Sequence, residues 1–166
     1  MKALIQRVTR ASVRVEDRLC GEIGRGLLVL IGATHEDSAA DAAWLARKIA
    51  RLRVFGDGAG LMNLDVQQAG GGVLVVPQFT LYGDARRGRR PDFTRAARPE
   101  HAEPLFEGFC AGLAAAGVRV ERGVFRTHME VELVNDGPVT LCIESPGGRA
   151  PGEAPVAGGD VGDGAP

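Results

Sequence analysis

Two runs of alternating apolar residues flank a polar stretch near the C-terminal end of the chain, and they restrict the fold more than any other feature. Met129, Val131 and Leu133 alternate before Asn135-Asp136-Gly137-Pro138-Val139-Thr140; Val139, Leu141 and Ile143 alternate through its end and beyond. Period-two alternation is the pattern of half-buried strands. Asp-Gly between two such runs predicts a tight hairpin turn. Pro138 complicates this, because a proline has no N–H to give to a ladder and belongs at a sheet edge, a strand start or a bulge. Locally the stretch reads either as a plain turn or as a special backbone feature, and its own residues do not choose between them.

The rest of the chain, 166 residues in all, fits a single domain that mixes strands and helices. Lys2 to Val8 and Ser12 to Glu16 read as two short strands separated by Thr9-Arg10-Ala11, and Leu19 to Ile23 as a weaker third. Leu27 to Gly32 is a continuous apolar run, as in a buried central strand. Gly21, Gly24 and Gly26 precede that strand and do not open a helix, so they are not a phosphate loop. Asp37 or Ser38 caps a helix expected to run to about Arg53, with Leu45, Ile49 and Leu52 as its buried stripe. Val54-Phe55 and Asn63 to Gln68 are short strand candidates. Pro99 opens a second helix, whose apolar face is Leu105, Phe106, Phe109, Cys110 and Leu113, and Val118 to Arg122 suggests a further strand. From Ser145 on, seven glycines and four prolines in 22 residues leave no apolar periodicity. Residues 1–144 are therefore expected to form the domain and 145–166 a disordered tail.

Composition narrows the chemistry. No apolar run approaches the roughly 20 residues of a membrane-spanning helix, and the N-terminus lacks the pattern of a signal peptide; a cytoplasmic protein with no membrane partner is expected. The three cysteines (Cys20, Cys110, Cys142) are widely spaced, and neither they nor His35, His101 and His128 have the spacing of a metal site or disulfide framework. No metal or other cofactor is expected. Eighteen of the 20 basic residues are arginine. Six of them (Arg86, Arg87, Arg89, Arg90, Arg95, Arg98) crowd the stretch from Gly83 to Arg98, which reads either as a phosphate-backbone clamp or as a solvated basic loop.

No Gly-x-Ser-x-Gly elbow, helix-borne His-Glu pair or Walker loop is present. The candidates that remain are Pro77-Gln78-Phe79-Thr80-Leu81, at the end of a strand-like apolar run from Val73, the Gly137-Pro138 turn and the arginine loop. Gln78 and Thr80 are expected on one face of that strand.

Met1-Lys2-Ala3-Leu4-Ile5-Gln6-Arg7-Val8, the Asn63–Gly70 segment, Gln78-Phe79-Thr80-Leu81 and Asn135–Thr140, in this order, resemble the D-aminoacyl-tRNA deacylase family. The resemblance covers residues 1–144. It implies an α/β (α+β) fold, a β-barrel-like mixed sheet with two main helices, assembled as a homodimer with active sites at the interface. It implies hydrolysis of the ester joining a D-amino acid, or glycine mischarged on tRNA-Ala, to the 3′ CCA end of tRNA. In such a site Gly137-Pro138, with a cis peptide and with Val139 and Thr140 behind it, enters the partner's active site and excludes L-residues. Backbone donors around Gln78 and Phe79 stabilise the oxyanion, the 2′-OH of the terminal adenosine assists water, and Thr80 positions rather than attacks. One departure stands out. The family usually carries Ser where this chain has Pro77, and a related branch with Pro-Gln at this place removes L-alanine from tRNA. The intact Gly137-Pro138-Val139-Thr140 favours retained D-specificity. The competing readings are that L-alanine activity, a non-catalytic tRNA-binding module using Arg86, Arg87, Arg89 and Arg90, and a small-molecule esterase using Thr80.

Overall fold

The computed structural model describes residues 1–86 and 88–147. Its backbone is a six-stranded mixed sheet, a two-stranded ribbon and two helices. The first strand, β1 (Lys2–Val15), is paired along nearly its whole length, and the rest of the sheet is laid against it. β2 (Arg18–Ile23) and β3 (Gly26–Gly32) follow by short turns and pair antiparallel with the C-terminal and N-terminal parts of β1. β6 (Gly72–Pro77) and β7 (Arg119–Arg122) then add in parallel, β6 on β3 and β7 on β6. Parallel neighbours require a long crossover. Helices α1 (Ala39–Ala50) and α2 (Pro99–Ala115) lie in those two crossovers. The small ribbon of β4 (Phe55–Gly56) and β5 (Met62–Leu64) lies between α1 and β6. β8 (Glu130–Glu144) lies along the free side of β1.

The alternation within β3 and β6 divides the interior in two. Leu27, Val29 and Ile31 of β3 and Val73 and Val75 of β6 face the helices, where they meet Leu45, Ile49, Phe106, Phe109 and Leu113. Leu28, Leu74 and Val76 face the other way, onto Val8, Ala11 and Val13 of β1 and Ile23 of β2, with Met129, Val131 and Leu133 packed around them. Both faces of these strands are buried, which is why they read as unbroken apolar runs. The second cluster is the inside of a nearly closed barrel. The terminal strands of the sheet come back together there: a Cβ at Gly21 of β2 would lie 3.1 Å from the carbonyl oxygen of Arg122 in β7.

Several expected elements take a different form. Thr9-Arg10-Ala11 does not separate two strands; β1 runs through it, because Arg10 and Ala11 pair with Val134 and Leu133 across the sheet. The first helix starts after Ser38, whose hydroxyl and backbone N–H both donate to Asp41 (2.8 and 2.9 Å), and ends at Ala50 rather than near Arg53. Burial works against the charge on Asp41, but these bonds from Ser38 outweigh it and lower its pKa. The Asn63–Gln68 segment is a strand only to Leu64; Asp65 and Gln68 then bond reciprocally through their side chains and turn the chain. Ser145 is buried and its backbone N–H donates to the Met1 carbonyl oxygen at 2.8 Å. The remainder of the expected tail, from residue 148, lies outside the described residues.

The largest difference concerns the Asn135–Thr140 stretch. It is not a hairpin turn. The two alternating runs belong to one strand, β8, and both pair with β1 in the same antiparallel sense. Gln6 is opposite Thr140 and Val8 is opposite Asn135, so Asp136 to Val139 bulge out across from the single residue Arg7. Pro138 is accommodated because the bulge takes its missing donor out of the ladder.

Candidate active site

The bulge is held from several directions. Arg7, facing it from β1, donates from Nε to the Asp136 carbonyl oxygen (3.2 Å) and pairs with the Asp136 carboxylate (3.1 Å), while its Nη1 donates to the Val54 carbonyl oxygen. Asn135 spans the base: its side-chain oxygen accepts from the Val139 N–H (3.2 Å) and its amide donates to the Thr140 hydroxyl (3.0 Å). Gln6 also reaches that hydroxyl, at 3.5 Å. The Gly137–Pro138 peptide is cis, and Gly137 has a φ of 122°, a region open in practice only to glycine. Gly137 and Pro138 are exposed at the tip. The strand geometry thus presents a short, rigid piece of backbone to solvent.

The Gln78 motif is formed differently from the sequence expectation. β6 ends at Pro77, and Phe79–Tyr82 is a single 3-10 turn. The switch comes where the Gln78 N–H reaches the Ile31 carbonyl oxygen (2.7 Å) and its own carbonyl oxygen sits against Gly32, where a Cβ would come within 2.7 Å of it. Gln78 and Thr80 therefore do not share a strand face; the Gln78 amide instead donates to the Thr80 hydroxyl. The N–H groups of Phe79 and Thr80, at the start of the turn, have no acceptor within it.

This turn stands at a cleft of about 700 Å³, lined by Pro77, Gln78 and Phe79 on one side and by Phe93, Phe125 and Met129 among others. Phe79 and Phe93 meet edge to face, with ring centroids 5.2 Å apart. Gly137, Pro138, Val139 and Thr140 do not line it. One chain therefore does not bring the bulge and the Gln78 turn into a single pocket.

The arginine loop is joined to the cleft through Phe93 and closed at its neck by reciprocal backbone bonds between Asp84 and Asp92 (2.7 and 2.8 Å). Arg86 is committed to Asp84: its Nε donates to both carboxylate oxygens (2.9 and 3.0 Å), and these bonds hold the Asp84 carboxyl well below the usual carboxylate range. Arg89 and Arg90 are exposed and have no ion-pair partner among the described residues; Arg87 lies outside them. Tyr82, buried behind the loop, has its phenol pKa pushed up by burial and then by the carboxylates of Asp37 and Glu144.

No side-chain nucleophile is prepared here. Among the described residues the Thr80 hydroxyl bonds to no carboxylate or imidazole, and a threonine needs such a base to attack. Cys110 is buried on α2 facing the helix core, and burial, with Glu107, pushes its thiol up to about 12. No cluster of His, Cys, Asp and Glu able to hold a metal occurs among the described residues. No described helix is long and apolar enough to cross a membrane. Replacing Thr80 with alanine is expected to leave kcat within about tenfold of wild type, whereas loss of a true nucleophile costs on the order of 10⁴-fold or more; single-turnover rates separate the two.

Comparison with known proteins decides the family. The family model for D-Tyr-tRNA(Tyr) deacylase matches residues 4–144. The chain belongs to the D-aminoacyl-tRNA deacylase family. It is 59% identical over 145 residues to a D-aminoacyl-tRNA deacylase of Symbiobacterium thermophilum, covering 87% of this chain and 96% of that one. It is 56% identical over 152 residues to the D-aminoacyl-tRNA deacylase of Thermus aquaticus, covering 90% and 100%. Among solved structures it is similar to a c-Myc DNA unwinding element binding protein, with a TM-score of 0.82 and 41% identity over 88% of this chain and 99% of that one. A probable eukaryotic D-amino acid tRNA deacylase shares the fold, with a TM-score of 0.77 at 17% identity. As a deacylase of this family the protein is a hydrolase, and the mixed sheet with its two helices is the family's fold. Arg7 is a residue of the candidate site that sequence reasoning missed. It lies within the N-terminal segment that carries the resemblance, but its role depends on facing a bulge 129 residues away, and no local pattern signals that.

Proposed function

We propose that this protein hydrolyses the ester linking a D-amino acid, or glycine, to the 3′-terminal adenosine of tRNA, and that it does so as a homodimer. The observation that carries the reading is the division of the site. A cleft with backbone donors and no side-chain nucleophile lies at the Gln78 turn, and a rigid exposed backbone tip lies elsewhere on the same chain. In a two-fold dimer the Gly137-Pro138 tip of one protomer enters the cleft of the other. Its carbonyl oxygens occupy the space that an L side chain on Cα would need. Glycine carries no side chain and passes. A filter made of backbone serves every D-residue alike, because it tests handedness and not side-chain identity.

The chemistry then falls to water and the substrate. Water attacks the ester carbonyl, the oxyanion is met by the N–H groups at the start of the Phe79 turn, and the 2′-OH of the terminal adenosine assists. Gln78 fixes the Thr80 hydroxyl, and Thr80 positions. The CCA end is the common element of all tRNAs, and exposed Arg89 and Arg90, with Arg87 of the same loop, supply charge to its backbone. Pro77, the last residue of β6, lines the cleft wall and leaves the filter intact. The test compares D-Tyr-, Gly- and L-Ala-tRNA side by side. Rapid loss of the first two with L-Ala-tRNA spared is the expected result; L-Ala-tRNA as the preferred substrate would sink the reading. Replacing the terminal 2′-OH by hydrogen is expected to slow D-Tyr-tRNA hydrolysis by a factor on the order of 10² or more.

A further inference from the structure

Arg126 sits in a backbone conformation that suits glycine. Its φ is 59°, in the left-handed region that L side chains enter at a cost. The loop that carries it runs from Gly123, whose N–H donates to the Val75 carbonyl oxygen at 2.8 Å, and is turned by the Thr127 hydroxyl donating to the Val124 carbonyl oxygen at 2.9 Å. This places Arg126, exposed, on the wall of the cleft that the Gln78 turn borders. No aspartate or glutamate lines that cleft. The other full cation in its lining is the Met1 ammonium, buried and paired with Asp37. Arg126 has no carboxylate partner among the described residues; the arginines that do are Arg7, Arg86, Arg119 and Arg122.

An unpaired guanidinium on a cleft that also exposes the rings of Phe79 and Phe93 is the composition of a site for single-stranded nucleic acid: the rings take a base and the guanidinium a phosphate. We infer that Arg126 grips a backbone phosphate of the single-stranded RNA end entering this cleft, and that it sets substrate affinity and takes no part in the chemistry. The inference rests on the deacylase reading above and deepens it.

Arg126→Gly makes a clean test, because glycine relieves the backbone and leaves the fold unthreatened. With D-Tyr-tRNA as substrate, KM is expected to rise about three- to tenfold with kcat within about twofold, and the slope of log(kcat/KM) against log salt to become shallower by about 0.7, the value for one single-strand phosphate contact. Arg126→Lys is expected to restore most of the slope. A purely structural role would not move the slope. Turnover by the wild type with an unchanged KM and slope in Arg126→Gly would overturn the assignment of Arg126 alone. A changed sedimentation coefficient with an unchanged slope would overturn it too, placing the arginine in a protein interface. No turnover of D-Tyr-tRNA by the wild type would overturn the deacylase reading instead, and binding of uncharged tRNA by the two proteins would then still test Arg126.

Discussion

Alanine in place of Gly137 is expected to lower kcat/KM for D-Tyr-tRNA by about 100-fold, the usual result of misplacing a positioning group by an ångström, and to erode discrimination against L-Tyr-tRNA. Two separate conflicts produce this. The backbone at Gly137, with φ of 122°, lies where a Cβ is strained. The added carbon would also come within 2.8 Å of Arg7 Nη2, 3.0 Å of Val139 Cγ2 and 3.2 Å of the Val139 nitrogen. The arginine tip can yield, but in doing so it gives up the Asp136 contacts that hold the bulge. A loss of about 2–3 kcal/mol in stability is expected to accompany the change. Arg7→Met reaches the same end from the other side of the bulge. Because the two residues touch, their effects should be strongly non-additive, and a double-mutant cycle read in both stability and D/L selectivity measures the coupling. If Gly137→Ala leaves rate and selectivity both unchanged, the bulge is not the chirality filter.

Removing the carboxylate of Asp37 should have the largest effect on the fold. Asp37 is 6% exposed. One of its oxygens pairs with the Met1 ammonium; the other accepts from the Thr34 N–H (2.6 Å) and hydroxyl (3.0 Å). The Met1 ammonium is itself buried, and its other partner is the Ser145 hydroxyl at 2.6 Å. Asp37→Ala leaves a buried cation without its counter-ion, which costs about 3–5 kcal/mol. For a domain of this length that corresponds to a fall of about 10 °C in the thermal midpoint. The consequence reaches the cleft, because Met1 lines it. Asp37→Asn, which keeps the shape and loses the charge, is expected to fall between the two. A loss under about 1 kcal/mol for Asp37→Ala, within the range of surface pairs, would show that the ammonium finds water.

Much of this protein was legible from local patterns. The alternation in Met129–Leu133 and Val139–Ile143, the unbroken apolar run at Leu27–Gly32 and the Leu45/Ile49 stripe each became the element their period predicts. Residue-by-residue resemblance at Gln78–Leu81 and Asn135–Thr140 identified the family. The details of the site were less legible. Asp-Gly between two strands is the local signature of a hairpin, and the sequence contains nothing to say that both strands share a third as their partner. Pro77 to Leu81 reads as a strand until the Gln78 N–H is seen to be taken by Ile31 of β3.

The sequence by itself determined both helices, most of the strands and the family to which they belong, because periodicity and motif are properties of neighbouring residues. Only the tertiary structure decided that Asp136–Val139 bulge away from Arg7, that Phe79–Tyr82 turn out of the sheet, and that Arg126 and Phe79 share one cleft. Each of those depends on which distant group a residue meets, and that is set when the strands assemble, with β8 laid along β1 and β6 along β3, and not by any residue alone.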